Sequence, residues 1–193
     1  MADKGFFSKN ELDTFCSSES RLGGHPETKV PGVEASTGSL GHGLPIGVGL
    51  ALAGKIGGCK HRIAVVVGDG ELNEGSVWEA AMSASKHQLS NLTVFIDYNK
   101  MQSYGLLLDV MDLEPLSKKW QSFGFATKEV DGHDVMALEK LMCSLPLDPS
   151  KPTAVICHTV KGKGFSVAEG QATWHHKSGL SDEDITKLYE SLG

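Results

Sequence analysis

The stretch 63–102 constrains this chain more than any other. Two short apolar runs, 63–67 and 92–96, flank a segment of helical pattern. Uniformly apolar runs of this length, joined by a helix, are how buried parallel strands with a crossover look in sequence. Polar residues follow each run: Gly68-Asp69-Gly70 after the first, Asp97 and Asn99 after the second. Open parallel sheets bind ligands beyond the carboxyl ends of their strands. Asp69 and Asn99, 30 positions apart (99 − 69), can therefore converge on one small volume. A carboxylate, an amide oxygen and a nearby backbone carbonyl are hard donors, suited to magnesium or calcium rather than zinc. Magnesium usually keeps oxygens of a bound phosphate in its shell, so a diphosphate is implied. Gly68 and Gly70 leave the backbone free to approach it. Gly-Asp-Gly alone is also an ordinary turn; Asn99 after the second strand is what favours a ligand.

The rest of the chain repeats the strand–helix alternation. Ser8 and Glu11 form a capping-box pattern at the start of a helix, with Phe7 and Leu12 spaced as a hydrophobic staple. Residues 17–44 are rich in Gly, Ser, His and Pro without periodicity, and a loop this long is uncommon unless it is functional. A buried helix is predicted over 44–56, with Pro45 in its first turn and Gly57-Gly58 ending it. Val77, Ala80, Ala81 and Ala84 share one helical face. Leu106-Leu107-Leu108 reads either as a contact patch or as a tucked loop. Leu113, Leu116, Trp120 and Phe123 form a stripe around Pro115, and 125–130 reads as a strand. Asp134 caps a helix carrying Leu138, Leu141, Met142 and Leu145. A last strand is predicted over 153–158, and Ser181 opens a terminal helix with Ile185, Leu188, Tyr189 and Leu192 on one face. This order, without a long linker or an internal repeat, predicts one α/β domain over 1–193. Its sheet is doubly wound and mostly parallel, with helices on both faces.

Composition removes several function classes. The net charge of −6 argues against a general nucleic-acid or anionic-membrane surface. No apolar run approaches the roughly 18 residues of a membrane span, and the start of the chain does not read as a signal peptide. Cys16, Cys59, Cys143 and Cys157 form neither a C-x-x-C nor a metal-binding spacing, which fits the reducing cytoplasm.

The segment Gly68-Asp69-Gly70-Glu71-Leu72-Asn73-Glu74-Gly75, followed by Asn99-Lys100-Met101-Gln102, resembles the thiamine-diphosphate motif. Continued through Ser76-Val77-Trp78-Glu79-Ala80, it is similar to transketolases, in particular to the N-terminal subunit of the split type. The resemblance implies Mg²⁺ on Asp69, Asn99 and the backbone carbonyl of Met101. It puts Glu74 at a dimer contact between cofactors; as a plain residue Glu74 is a first-turn carboxylate favoured by the helix dipole. His25, in Gly24-His25-Pro26-Glu27, matches a substrate-side histidine able to donate to a sugar hydroxyl or alkoxide; otherwise it is a solvated loop residue. Gly38, Ser39 and Leu40 would face the aminopyrimidine. Gly70, Lys161 and His175 would lie by the diphosphate or the reacting carbon, with Gln102 nearby. His42 stands where the family commonly has glutamine, and His176 where it usually has glycine.

The glutamate that activates thiamine diphosphate belongs in this family to a pyrimidine-binding domain, and nothing here resembles that domain. The family's upstream helical arm is also absent. The resemblance therefore implies transfer of a two-carbon ketol unit between sugar phosphates, as in the pentose phosphate pathway. The site would be completed by a C-terminal partner subunit in a homodimer or heterotetramer. Two other readings stand beside it. One is a non-catalytic cofactor-binding or assembly subunit. The other is a different thiamine-diphosphate enzyme, such as a deoxyxylulose-phosphate synthase or a dehydrogenase component; the Gly24–Glu27 and Trp174-His175 segments speak against it. A nucleotide-binding Rossmann protein is disfavoured, since neither G-x-G-x-x-G nor a Walker lysine motif is present.

Overall fold

Strand alternation decides which helices go where. The computed structural model describes residues 1–177 and 179–191. In chain order its elements are α1 (Gly43–Ile56), β1 (Ile63–Gly68), α2 (Gly75–Lys86), β2 (Leu92–Tyr98), β3 (Met101–Gln102), β4 (Gly105–Leu106), α3 (Leu107–Val110), α4 (Leu116–Ser122), β5 (Ala126–Asp131), α5 (Val135–Ser144), β6 (Thr153–His158) and α6 (Asp182–Glu190). Four strands form one parallel sheet in the order β1-β2-β6-β5; β3 and β4 make a separate antiparallel hairpin. This is the expected parallel α/β sheet with helices on its two faces.

Successive strand residues point to opposite faces. Val94 and Ile96 of β2, with Ala154 and Ile156 of β6, join the larger core. That core is closed by Leu44, Val48 and Ala51 of α1, by Val77, Ala80, Ala81 and Ala84 of α2, and by Leu116 and Trp120 of α4. The buried Trp120 and Phe125 meet the partly buried Trp78 and Phe123 at its edge in tilted and edge-on contacts, with ring centroids about 5 Å apart. The alternate residues Val155 and Cys157, with Phe95, pack instead beneath Leu138, Leu141 and Leu145 on the other face. The predicted stripes of α2 and α5 thus close opposite sides of the sheet, except that Met142, expected on the α5 stripe, is 48% exposed.

The small residues of α1 have a physical use. A Cβ on Gly47 would lie 2.4 Å from Val65 Cγ2, and one on Gly54 would lie 2.7 Å from the His61 ring. Only glycine lets α1 sit this close to β1. Asp134 caps α5 by accepting from the Ala137 N–H at 2.9 Å. Ser181 and Asp184 form a reciprocal capping box on α6. Leu192, expected on the face of α6, lies outside the described residues.

The structure corrects four expectations. The first strand is not buried on both faces: Ala64 is exposed and Val66 is 72% exposed, because α5 covers only the β6–β5 side of that face. The capping box of Ser8 and Glu11 forms, but it opens a 3₁₀ turn, Lys9–Thr14, rather than an α-helix, and Leu12 stays exposed. The triplet 106–108 divides: Leu107 is buried, while Leu106 and Leu108 face outward. The β3–β4 hairpin was not anticipated, since its two-residue strands are too short for any periodicity.

Candidate cofactor site at the strand ends

Parallel pairing places Gly68 opposite Asp97, so Asp69 emerges beside the end of β2. The Asp69 N–H donates to the Asp97 carbonyl at 3.2 Å, which carries the ladder one step beyond the strand. Asp69 is only 1% exposed. One carboxylate oxygen accepts from the Gly70 N–H at 2.7 Å, capping the turn Gly70–Asn73. The other accepts from the Lys100 N–H at 2.5 Å. Lys100 can present that N–H because its φ is +65°, a left-handed conformation that turns the chain sharply after β2. The next N–H, that of Met101, donates to Asn99 Oδ1 at 3.0 Å. Consecutive amides of one turn therefore gather the Asp69 carboxylate and the Asn99 amide, which the sequence separates widely.

The Met101 carbonyl is free to face the same volume. The Leu107 N–H donates to the Lys100 carbonyl at 2.9 Å, so 100 and 107 form a bonded pair. The neighbouring pair, Met101 and Leu106, is then a non-bonded one, and its carbonyls point away from the partner strand.

Asp69 lacks a side-chain cation: none of the ion pairs among the described residues includes it. Burial pushes its carboxyl above the usual carboxylate range, against the two backbone N–H bonds that favour the charge. The nearby Asp97 pushes the same way, and the Lys161 ammonium opposes it. An under-compensated buried carboxylate, an amide oxygen and an unpaired carbonyl suit a hard divalent cation. Among the described residues no three His, Cys, Asp or Glu side chains cluster as a metal site. The donor set here is mixed and needs phosphate oxygens to complete it. A Cβ on Gly68 would meet nothing within 4 Å, so open space lies beside the strand end. Gly70 is different: its missing Cβ makes room for the Gln102 side chain, whose Cβ would be 2.9 Å away. The Gln102 amide nitrogen is buried without a partner.

Lys161 lies within electrostatic reach of this volume, and His175 within electrostatic reach of Lys161. Burial, then Lys161 and His176, holds the His175 imidazolium below the usual histidine range. The ring packs edge-on against His176 at 4.3 Å, and its Nδ1 is buried without a partner. His176 adopts φ +57° and shares a hydrogen bond of 3.1 Å with Ser103 at the tip of the β3–β4 hairpin. That backbone conformation favours glycine, and the His176 side chain ties the turn to the hairpin. Protonating His175 costs more folded than unfolded, so it should erode stability as pH falls below about 6.5. The melting temperature is expected to fall less between pH 7.5 and 5.5 in His175→Ala than in the parent chain. Equal pH slopes would refute this.

His25, Gly38, Ser39 and Leu40 form a second group. The Thr37 N–H donates to the Pro26 carbonyl at 3.0 Å, and the Thr28 N–H to Ser36 Oγ at 3.1 Å, setting the two loop segments side by side. The His25 ring lies over Gly38, 3.1 Å from where a Cβ would be, and Gly38 has φ +130°. His25, Ser39 and Leu40 are exposed. Among the described residues no hydrogen bond joins His25 to Lys161 or His175. Glu74 is exposed, begins α2 and makes no capping bond through its side chain. It flanks Gly41, where a Cβ would be 2.7 Å from Glu74 Cβ. Sequence reasoning passed over Glu71 and the Lys100 N–H. Glu71 accepts from an N–H three residues before it, the reach of the glutamate in a capping box, and that spacing was the available signal. The Lys100 bend carried none.

A parallel sheet whose strand ends carry Gly-Asp-Gly and Asn, with a glycine-rich loop alongside, defines the class: an α/β domain of the diphosphate-binding type. The family model "Transketolase, thiamine diphosphate binding domain" matches residues 5–193, and the chain belongs to that family. It is 45% identical over 191 residues to an apulose-4-phosphate transketolase subunit from Actinobacillus succinogenes, covering 98% of this chain and 69% of the relative. The subunit of the same name from Phocaeicola vulgatus is 43% identical, over 90% of this chain and 62% of the relative. A 6-deoxy-6-sulfo-D-fructose transketolase subunit from a Clostridium strain is 37% identical, over 91% and 64%. The crystal structure of transketolase from Campylobacter jejuni superposes with a TM-score of 0.86 at 30% identity, covering 95% of this chain and 30% of that one. The chain thus spans under two thirds of two of these three subunits and under a third of the long enzyme. No described helix is long and apolar enough to cross a membrane.

Proposed function

We propose that this chain is the diphosphate-binding part of a transketolase subunit of the split type, acting in the cytoplasm. It would transfer a two-carbon ketol unit from a ketose phosphate to an aldose phosphate. The observation that supports this most is the meeting of the buried Asp69 carboxylate, the Asn99 amide and the free Met101 carbonyl on one turn. Those three groups would hold Mg²⁺ on the diphosphate, with Gly68 leaving space for it and Lys161 adding positive field. Thiamine diphosphate, when bound, supplies the carbon nucleophile. Gly38, Ser39 and Leu40 would present backbone groups to the aminopyrimidine. His25, exposed beside that turn, would donate to substrate hydroxyls. His175, held neutral by its surroundings, would accept or return a proton near the reacting carbon. Glu74, at the start of α2, would face a second copy.

This domain holds no counterpart of the activating glutamate, so a C-terminal subunit with a pyrimidine-binding domain would complete the site, in a homodimer or heterotetramer. The relatives named as one subunit of a transketolase fit that division of labour. Their names also bring apulose 4-phosphate and 6-deoxy-6-sulfo-D-fructose into the substrate range beside the sugars of the pentose phosphate pathway.

The test mixes the chain with a C-terminal transketolase subunit, Mg²⁺ and thiamine diphosphate, and follows ketol transfer. Activity is expected only with both polypeptides. Calorimetric titration separates the alternative of a non-catalytic cofactor-binding subunit: binding without turnover in every pairing would favour it.

A further inference from the structure

We propose that Glu71 is a positioning residue that fixes the register between the two halves of the cofactor cradle; this rests on the functional reading above. Its carboxylate is shared between two backbone donors far apart in sequence. Oε1 accepts from the Gly41 N–H at 2.9 Å, and Oε2 accepts from the Gly68 N–H at 3.2 Å. Gly41 ends the turn whose residues 38–40 would face the aminopyrimidine. Gly68 ends β1, where the diphosphate would lie. One side chain therefore spans the pyrimidine side and the diphosphate side of the ligand.

The Gly41 end is held on every side. Its carbonyl accepts from Ser76 Oγ at 2.8 Å. Its φ is +79°, and a Cβ would lie 2.4 Å from that same Oγ. The turn cannot slide while Glu71 and Ser76 grip both polar groups of one peptide position. Without Glu71, the buried Gly41 and half-buried Gly68 N–H groups lose the acceptor they use in this structure. The loop 17–42 that carries the turn has no helix or sheet ladder of its own to restore the spacing. The other hydrogen bonds around the turn run to loop residues 26 and 28 and from the His42 ring to the Leu40 carbonyl.

Glu71→Gln is the informative variant, because it is isosteric and keeps one acceptor. Its NH₂ must face one of the two N–H donors. In the isolated chain, the Gly41 or Gly68 amide should exchange with solvent about tenfold faster, while the Val94 and Ile96 amides of β2 stay as protected as before. In the same chain with Mg²⁺, alone and mixed with a C-terminal subunit, affinity for thiamine diphosphate should fall about tenfold and affinity for inorganic pyrophosphate much less. Pyrophosphate touches one half of the cradle and does not sense the register. Glu71→Asp, one methylene short, should give the same selective loss. Unchanged exchange at both glycines overturns the proposal, and so does equal weakening of both ligands. A parent chain that binds neither ligand in either setting overturns the functional reading instead, and the exchange rates then judge the register by themselves.

Discussion

Asp69→Ala should abolish Mg²⁺-dependent binding of thiamine diphosphate, lowering affinity by at least about 100-fold. Losing even an outer partner of a metal ligand typically costs 10- to 100-fold, and Asp69 is proposed as the ligand itself. The variant removes the one buried carboxylate at the ends of β1 and β2, and no other side chain can take its place. The nearby Asp97 is exposed and already engaged, accepting from Thr159 Oγ1 and from Asn99 Nδ2. The effect on the unliganded fold is a separate matter. Alanine leaves the Gly70 and Lys100 N–H groups without their acceptor, but it also removes a charge that burial disfavours. These oppose each other, so the unliganded melting temperature should move little. The stabilisation by ligand should nearly vanish: a site at 100 times its dissociation constant gains about 2.7 kcal/mol, and a 100-fold weaker variant at the same ligand concentration gains no more than about 0.4 kcal/mol. Calorimetry and thermal melts, with and without Mg²⁺ and cofactor, read both quantities. Parent-like affinity in Asp69→Ala would end the metal-site reading.

Gly41→Ala should destabilise the chain by about 2–5 kcal/mol. A left-handed backbone costs a non-glycine residue roughly 1–2 kcal/mol. Forcing a Cβ into filled space costs about 1–3 kcal/mol more. Here that Cβ would stand 2.4 Å from Ser76 Oγ and 2.7 Å from Glu74 Cβ. Gly5→Ala is the matched control. Gly5 has φ +78°, but a Cβ there meets nothing within 4 Å. It should lose only the conformational part, about 1 kcal/mol. Urea unfolding of both variants isolates the steric share. Equal losses would show that Ser76 and Glu74 give way freely and that the turn is not gripped as described.

The same residues show what was legible in the chain. Apolar period and glycine placement predicted β1, α2, β2, β6 and the two sides of the core, because each depends on which residues shun water along a regular element. The approach of Asp69 and Asn99 to one turn followed from one rule about where parallel strands end. The resemblance supplied His25, Lys161 and His175 from local wording; among the described residues no hydrogen bond links them to one another, and their roles rest on the proposal. The β3–β4 hairpin and the Lys100 bend stayed hidden because two-residue strands and a single left-handed residue leave no periodic trace.

By itself, then, the sequence determined the parallel α/β sheet, its helical cover and the pair of strand ends that carry hard oxygen donors. These are consequences of hydrophobic period and of chain direction, which are written locally. Only the tertiary structure decided that Glu71 joins Gly41 to Gly68, that one face of β1 stays open at Val66, and that His176 takes a glycine's conformation to reach Ser103. Each depends on contacts between segments distant along the chain, whose distances are set when the sheet and loops pack and not by any pattern within one segment.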